Sequence, residues 1–164
     1  NNIKIKSYVG VDNSKELLEI AKKQFPNYKF IESNLNSVDP SIFTENKYNL
    51  IFAFGLMHHL QTFESRKELI NRSYKSLVKD GLLAVTYWQF KNDTKIFSKA
   101  KHLKDEDYEL PFGNSTAKRF CHFTNEVEAD LLGEGLELKS SYFADGKSKA
   151  LNLYKLYSRT LIIT

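Results

Sequence analysis

The sequence is poor in the residues that mark several classes of protein. Cys121 is its one cysteine among 164 residues, which excludes an internal disulfide and fits a reducing compartment, so we expect a cytoplasmic protein. No apolar run approaches the roughly 18 residues that a membrane-spanning helix needs, so we expect no membrane association. With seven glycines and three prolines, the chain also lacks the composition of a repetitive or low-complexity protein.

Apolar and basic residues are what the sequence does have. Hydrophobic residues make up 41% of the chain and aromatic residues 13%, which is enough for a folded core. The net charge of +4 permits a polyanionic partner but does not require one, because the lysines are spread along the chain.

The hydrophobic pattern alternates between strand-like and helix-like segments. The predicted strands cover residues 7–12, 28–34, 48–54, 82–90, 136–143 and 150–158, and the predicted helices cover 13–26, 63–78 and 124–132. This alternation predicts a doubly wound, Rossmann-like α/β sheet in a single domain. The segment 48–54 is almost wholly apolar, which predicts a strand buried on both faces. The last two strands predict an antiparallel hairpin, and residues 91–118 form an insert without clear periodicity.

Asp12 follows the first predicted strand and precedes a helix. Ligands of open α/β sheets bind at such strand ends, and a carboxylate there can accept hydrogen bonds from both ribose hydroxyls. Alternatively, Asp12 is an acid favoured by the dipole at the start of the helix. Both NAD enzymes and S-adenosylmethionine (SAM) enzymes use such an acid, but a terminal hairpin disfavours a dinucleotide fold.

Two adjacent histidines, His58 and His59, end the stretch FGLMHHL. On an extended segment their side chains point in opposite directions, and no cysteine or carboxylate stands at a useful short spacing. We therefore expect no metal site here.

Three stretches, GVDNSKELLEIAKK, NLIFAFGLMHHL and SLVKDGLLAV, resemble motifs of the class I SAM-dependent methyltransferases, and the resemblance runs from about Tyr8 to Arg159. Within that superfamily, GLMHHLQTFESRKELINRSYKSLVKDG, RFCHF and LNLYKLYSR are similar to the wobble-uridine tRNA carboxymethyl methyltransferases and their bacterial relatives. The resemblance implies SAM as cofactor and a carboxymethyl group on tRNA as methyl acceptor. It also implies a small zinc-binding activator subunit as a partner, although no feature of the sequence indicates whether this chain binds one.

The resemblance further implies roles for individual residues. Asp12 would hold the ribose, with Asn13 beside it, and Asn34 and Leu35 would lie along the adenine. Phe54, Gly55 and Met57 would lie under the methyl donor, although Phe54 is equally suited to a core. His58 and His59 would form the pocket wall, or act as a base if the acceptor is a neutral hydroxyl or amine.

Contacts to RNA would come from four residues, namely Lys118, Arg119, His122 and Arg159. The alternative is that RFCHF is an edge strand whose aromatic residues pack while Arg119 is solvated. An ionised carboxylate acceptor would need no base, so positioning and desolvation would supply most of the catalysis.

The sequence departs from the family pattern at its start, where no glycine-rich loop precedes Gly10. We therefore expect an amino-terminally truncated domain that lacks the family's first strand and helix, in which the strands ending at Asp12 and Phe54 would pair directly or the chain would fold poorly. Donor affinity should then be weaker than micromolar. The alternatives to a tRNA enzyme are a small-molecule methyltransferase and a non-catalytic fragment of the same fold.

Overall fold

A computed structural model describes residues 5–34, 42–45, 47–113 and 116–160. Leu35 lies outside these residues. The chain divides into two compact units, Asn1–Ile42 and Phe43–Thr164, and each is described by itself.

The first unit is a strand–helix–strand motif, as the pattern predicted. Strand β1 (Val9–Asp12) pairs in parallel with β2 (Lys29–Glu32), and helix α1 (Lys15–Gln24) connects them. The Ser14 side chain caps the helix by accepting a hydrogen bond from the Leu17 amide at 3.3 Å. The apolar residues of the helix are only partly buried, since Leu18 is buried whereas Leu17 is 57% exposed.

The main sheet of the second unit has four strands in the order β3-β4-β9-β8. These strands are β3 (Tyr48–Ala53), β4 (Leu77–Trp88), β8 (Glu137–Ala144) and β9 (Asn152–Ser158). Strand β3 runs parallel to β4, while β9 runs antiparallel to both β4 and β8. The predicted α/β sheet with a late antiparallel hairpin is therefore confirmed.

The prediction that segment 48–54 is buried on both faces is wrong. Leu50 and Phe52 are 44% and 56% exposed. Among the described strands, β4 is the one partner of β3, so β3 is also an edge strand here. Strand β1 belongs to the two-stranded sheet of the first unit and β3 to the four-stranded sheet of the second, and the direct pairing expected between them stays a prediction.

Helix α2 (Phe63–Ser76) connects β3 to β4 and begins with a capping box. The Thr62 hydroxyl accepts from the Ser65 amide at 3.1 Å, and the Ser65 hydroxyl accepts from the Thr62 amide at 3.3 Å. Its buried side chains include Leu69 and Ile70. Residues 77–81, outside the predicted strand 82–90, are already part of β4, and Asp80 within it has a φ of 61°.

The insert, which has no periodicity in the sequence, forms an antiparallel sheet together with the RFCHF stretch. Its order is β5-β6-β7, and its strands are β5 (Lys101–Lys104), β6 (Asp107–Pro111) and β7 (Lys118–His122). The short helix α3 (Thr94–Phe97) precedes it. Phe90, Tyr108, Leu110 and Cys121 form the buried core beneath this sheet.

Helix α4 (Glu126–Leu132) leads into the terminal hairpin. Its N-cap is Asn125, whose side chain accepts from the Glu128 amide at 2.9 Å, so the helix begins two residues after the predicted start at 124. No helix within the described ranges is both long enough and apolar enough to cross a membrane.

Candidate functional site

Asp12 lies at the carboxyl end of β1, half-buried. Its Oδ1 accepts a hydrogen bond from the Ser14 amide at 2.8 Å. Its backbone carbonyl accepts from the Ser33 amide at 2.9 Å, so the ends of β1 and β2 are joined. Asn13 and Asn34 are exposed at this same edge. The hydrogen bond from the Ser14 amide is the one expected for an acid at the start of a helix. Ribose binding through Asp12 stays a prediction.

The loop after β3 carries the residues expected under the donor. Gly55 has a φ of 64°, a left-handed conformation that favours glycine, and its amide donates to the Thr86 hydroxyl of β4 at 3.1 Å. Phe54 is 49% exposed and contacts the Tyr154 ring at a centroid distance of 5.8 Å. Met57 is fully buried, so its side chain is part of the core.

The two histidines lie in a single turn of 3₁₀ helix, Met57–His59, and not in an extended segment. Their ring centroids are 4.0 Å apart. The premise that His58 and His59 point in opposite directions is therefore wrong, because a helical turn places successive side chains about 120° apart.

Aromatic rings and one cation surround His58 near the carboxyl end of β4. The ring of Trp88, the last residue of β4, lies 5.0 Å from the His58 ring. The Arg119 guanidinium from β7 lies 5.1 Å from the centroid of Trp88 and 5.2 Å from that of Phe112. We call these four residues, His58, Trp88, Phe112 and Arg119, the Trp88 cluster.

Burial controls the protonation of the groups in this region. It lowers the pKa of His58 to about 3, and the neighbouring His59 and Arg119 lower it further. His58 is therefore neutral at pH 7, and a base with so low a pKa is poorly matched to proton abstraction. Burial also raises the pKa of the Cys121 thiol to about 11, against the opposing effect of the Arg119 charge.

A buried network of charged groups fixes the loop that carries the histidines. His122 bridges two carboxylates, with Nδ1 2.7 Å from Asp107 Oδ1 and Nε2 2.9 Å from Glu128 Oε2. Arg66 donates to Glu128 Oε1 through Nε at 2.9 Å and lies 2.8 Å from the same oxygen through Nη2. Its Nη1 donates to the Leu60 carbonyl at 2.7 Å. We call Arg66, Asp107, His122 and Glu128 the His122 network.

Two of the four residues expected to contact RNA are on or near the surface of β7. Lys118 is exposed and forms an ion pair with Glu109 at 2.9 Å. Arg119 is half-buried against Trp88. His122, in contrast, is 8% exposed and lies within the His122 network.

The remaining RNA candidate, Arg159, lies at the far end of the sheet. Its guanidinium donates to the carbonyls of Lys75 and Leu77. Its neighbour Ser158 pairs with Leu82 of β4, whereas Asn152 pairs with Trp88. Leu82 and Trp88 are six residues apart on β4, which at about 3.3 Å per residue separates the Arg159 end of the sheet from Trp88 by roughly 20 Å. The four residues therefore do not form one continuous patch.

Comparisons with known proteins identify the fold. The family described as methyltransferase domain matches residues 2–81. A SAM-dependent methyltransferase from Methanosarcina mazei has a TM-score of 0.70 at 12% identity, over 95% of this chain and 83% of that one. The chain has the fold of the class I SAM-dependent methyltransferases.

Two similar structures contain S-adenosylhomocysteine (SAH). An N-methyltransferase from Bradyrhizobium japonicum has a TM-score of 0.64 at 12% identity, over 94% of this chain and 67% of that one. The 1,6-didemethyltoxoflavin-N1-methyltransferase from Burkholderia thailandensis, which also holds its acceptor, has a TM-score of 0.61 at 14% identity, over 93% and 61%. No curated protein matches the chain significantly.

Several residues of the site were not found from the sequence. Trp88, the one tryptophan, ends the long strand β4. Its position at the end of a strand was the only feature of the sequence that indicated a place in the site. Asp107 and Glu128 lie in separate elements from His122 and become its partners only through the pairing of β6 with β7 and the placement of α4. Such long-range contacts have no local pattern.

Proposed function

We propose that this chain transfers a methyl group from SAM to a carboxylate acceptor, and that the acceptor is the carboxymethyl group of a tRNA wobble uridine. The observation that carries the proposal is the composition of the Trp88 cluster. It combines a guanidinium, Arg119, with two aromatic faces, Trp88 and Phe112, next to a histidine that is a poor base.

Each part of the cluster suits an ionised, planar acceptor. A guanidinium binds a carboxylate with charge-assisted hydrogen bonds, and the Nε of Arg119 is buried without a hydrogen-bond partner among the described residues. Aromatic faces such as Trp88 can stack on an unpaired base. A carboxylate is already ionised at pH 7, so the low basicity of His58 does not hinder methyl transfer.

The residues of this chain would act by positioning and by excluding water. The stacking of Arg119 between two rings fixes its guanidinium, and the His122 network fixes the loop that begins at Gly55. SAM would supply the activated methyl group. With both reactants held, in-line attack by a carboxylate oxygen on the methyl carbon yields an ester and SAH.

A small-molecule acceptor is the second candidate. Of the similar structures, the toxoflavin enzyme is named for and contains a small heterocyclic acceptor. If the acceptor were a small amine or hydroxyl, a base would be needed, and His59 would be the first candidate because His58 is held neutral by burial.

Methyl transfer from radiolabelled SAM to bulk tRNA, compared with small carboxylic acids and amines, tests the proposal. A carboxymethyl ester releases labelled methanol in mild alkali, whereas N-methyl and ribose O-methyl products keep their label. We expect alkali-labile label on tRNA, reduced more in Arg119→Gln than in Lys101→Gln, which changes an exposed lysine of β5. Alkali-stable label, or label on small amines alone, would overturn the carboxylate acceptor.

A further inference from the structure

Three potential metal ligands meet at His58, a member of the Trp88 cluster. A ring nitrogen of His58, a ring nitrogen of His59 and the Cys121 sulfur all lie within 4.8 Å of one another. His58 and Cys121 are buried, and His59 is partly exposed. The two histidines come from the 3₁₀ turn after β3 and the cysteine from β7, so only the fold brings the three together.

The spacing of these atoms is close to that of a metal centre. Zinc binds imidazole nitrogen at about 2.0–2.1 Å and thiolate at about 2.3 Å, so ligand atoms in a tetrahedral site are roughly 3.3–3.8 Å apart. The separations here are at most 4.8 Å and need to shorten by up to about 1.5 Å, which side-chain rotations can supply.

A second observation at the same place points to an occupant. The Nδ1 atom of His58 is buried and has no hydrogen-bond partner among the described residues, although His58 is only 6% exposed. Leaving a buried polar atom unpaired costs about 1–3 kcal/mol, so such an atom in a native protein calls for a partner. A metal ion bound by the neutral imidazole and the neighbouring thiol sulfur would be such a partner.

We propose that His58, His59 and Cys121 bind one Zn²⁺ ion. Imidazole and thiolate are the ligands that zinc prefers, and a site with three protein ligands leaves a fourth position for water or another ligand. That position would open toward His59, the most exposed of the three. Binding releases the Cys121 proton to solvent, and the nearby Arg119 charge favours the resulting thiolate. This site does not depend on the methyl acceptor.

Cobalt substitution tests the proposal, because Cys121 is the only cysteine of the chain. Any sulfur-to-cobalt charge-transfer band must therefore report this thiolate. The metal-free chain is titrated with Co²⁺, and Zn²⁺ is then added in competition. We expect a charge-transfer band and tetrahedral d–d bands that saturate at one Co²⁺ per chain and disappear when Zn²⁺ is added.

Variants separate this site from nonspecific binding. His59→Gln and Cys121→Ser should weaken Zn²⁺ binding by at least about tenfold, whereas His102→Gln, on the exposed strand β5, should leave it unchanged. His59 is partly exposed, so its variant decides the matter if the cysteine variant does not fold. A titration without the thiolate band, or Zn²⁺ binding that is equal in His59→Gln and the unmodified chain, would overturn the proposal.

Discussion

Removing the charge of Glu128 should destabilise the second unit strongly. Glu128 accepts hydrogen bonds from Arg66 and His122. The Arg66 side chain is only 3% exposed and that of Glu128 is 17% exposed. In Glu128→Gln the Arg66 charge stays buried without a counter-ion. The NH₂ group of the glutamine, itself a donor, would also face the donors of Arg66 and His122.

The structure gives the size of this effect. Breaking a buried ion pair by removing one partner costs about 3–5 kcal/mol, and the partial exposure of Glu128 places the expected loss near the lower value, about 3 kcal/mol. For a chain of this length the melting temperature should fall by about 6–12 °C. Glu126→Gln is the matched control, because Glu126 is exposed in the same helical turn, and it should cost less than about 1 kcal/mol.

The pH dependence provides a separate check on the charge of Glu128. Burial would raise the pKa of its carboxyl, but the hydrogen bond from His122 and the charge of Arg66 outweigh it and hold the pKa below the ordinary value of 4.5. A lowered folded pKa means that the stabilisation is present above pH 4.5 and is lost as the pH falls through the folded value.

Thermal unfolding of both variants and the unmodified chain, followed by circular dichroism from pH 7 downward, measures both effects. The gap between the unmodified chain and Glu128→Gln should be widest near pH 7 and should narrow below pH 4.5. Equal melting temperatures for the two glutamine variants at pH 7 would refute the buried network, and a gap independent of pH would refute its electrostatic origin.

Two further predictions concern packing and protonation in the same unit. Gly133→Ala should destabilise the chain by about 1–3 kcal/mol, because the new Cβ would lie 2.3 Å from the hydroxyl oxygen of the buried Tyr157. Urea unfolding measures the loss of stability. A loss no greater than that of Val127→Ala, at an exposed site on α4, would contradict this prediction. His58, with a pKa lowered to about 3 by burial, should stay neutral in an NMR titration of the metal-free chain from pH 8 to pH 5, and a midpoint near 6.5 would show that it is solvated.

Local sequence signals predicted the order of the elements well. The first helix and the late hairpin could be predicted from short segments, because hydrophobic periodicity depends on neighbours in sequence. The insert was not predicted, since strands β5 and β6 are short and β5 is exposed along its length, with Leu103 47% exposed, so it has no alternation of buried and exposed residues.

The histidine turn shows why the site was harder to predict than the fold. The interpretation of His58 and His59 depended on an extended backbone, and two residues carry no periodicity that distinguishes a strand end from a 3₁₀ turn. Cys121 is 62 residues from His59 in sequence, counting from 59 to 121. Its approach to the histidines depends on the insert sheet, whose formation the sequence did not indicate.

The most direct test of the central assignment is calorimetric titration of the chain with SAH, with Asp12→Ala and Glu16→Ala compared under the same conditions. Asp12 ends β1, while Glu16 is an exposed acid in the first turn of α1. We predict saturable binding at one SAH per chain, weakened about tenfold or more in Asp12→Ala, as expected for the loss of charge-assisted hydrogen bonds to a ribose, and unchanged in Glu16→Ala. Binding that is absent from the unmodified chain, or equal in all three proteins, would contradict a SAM site at Asp12.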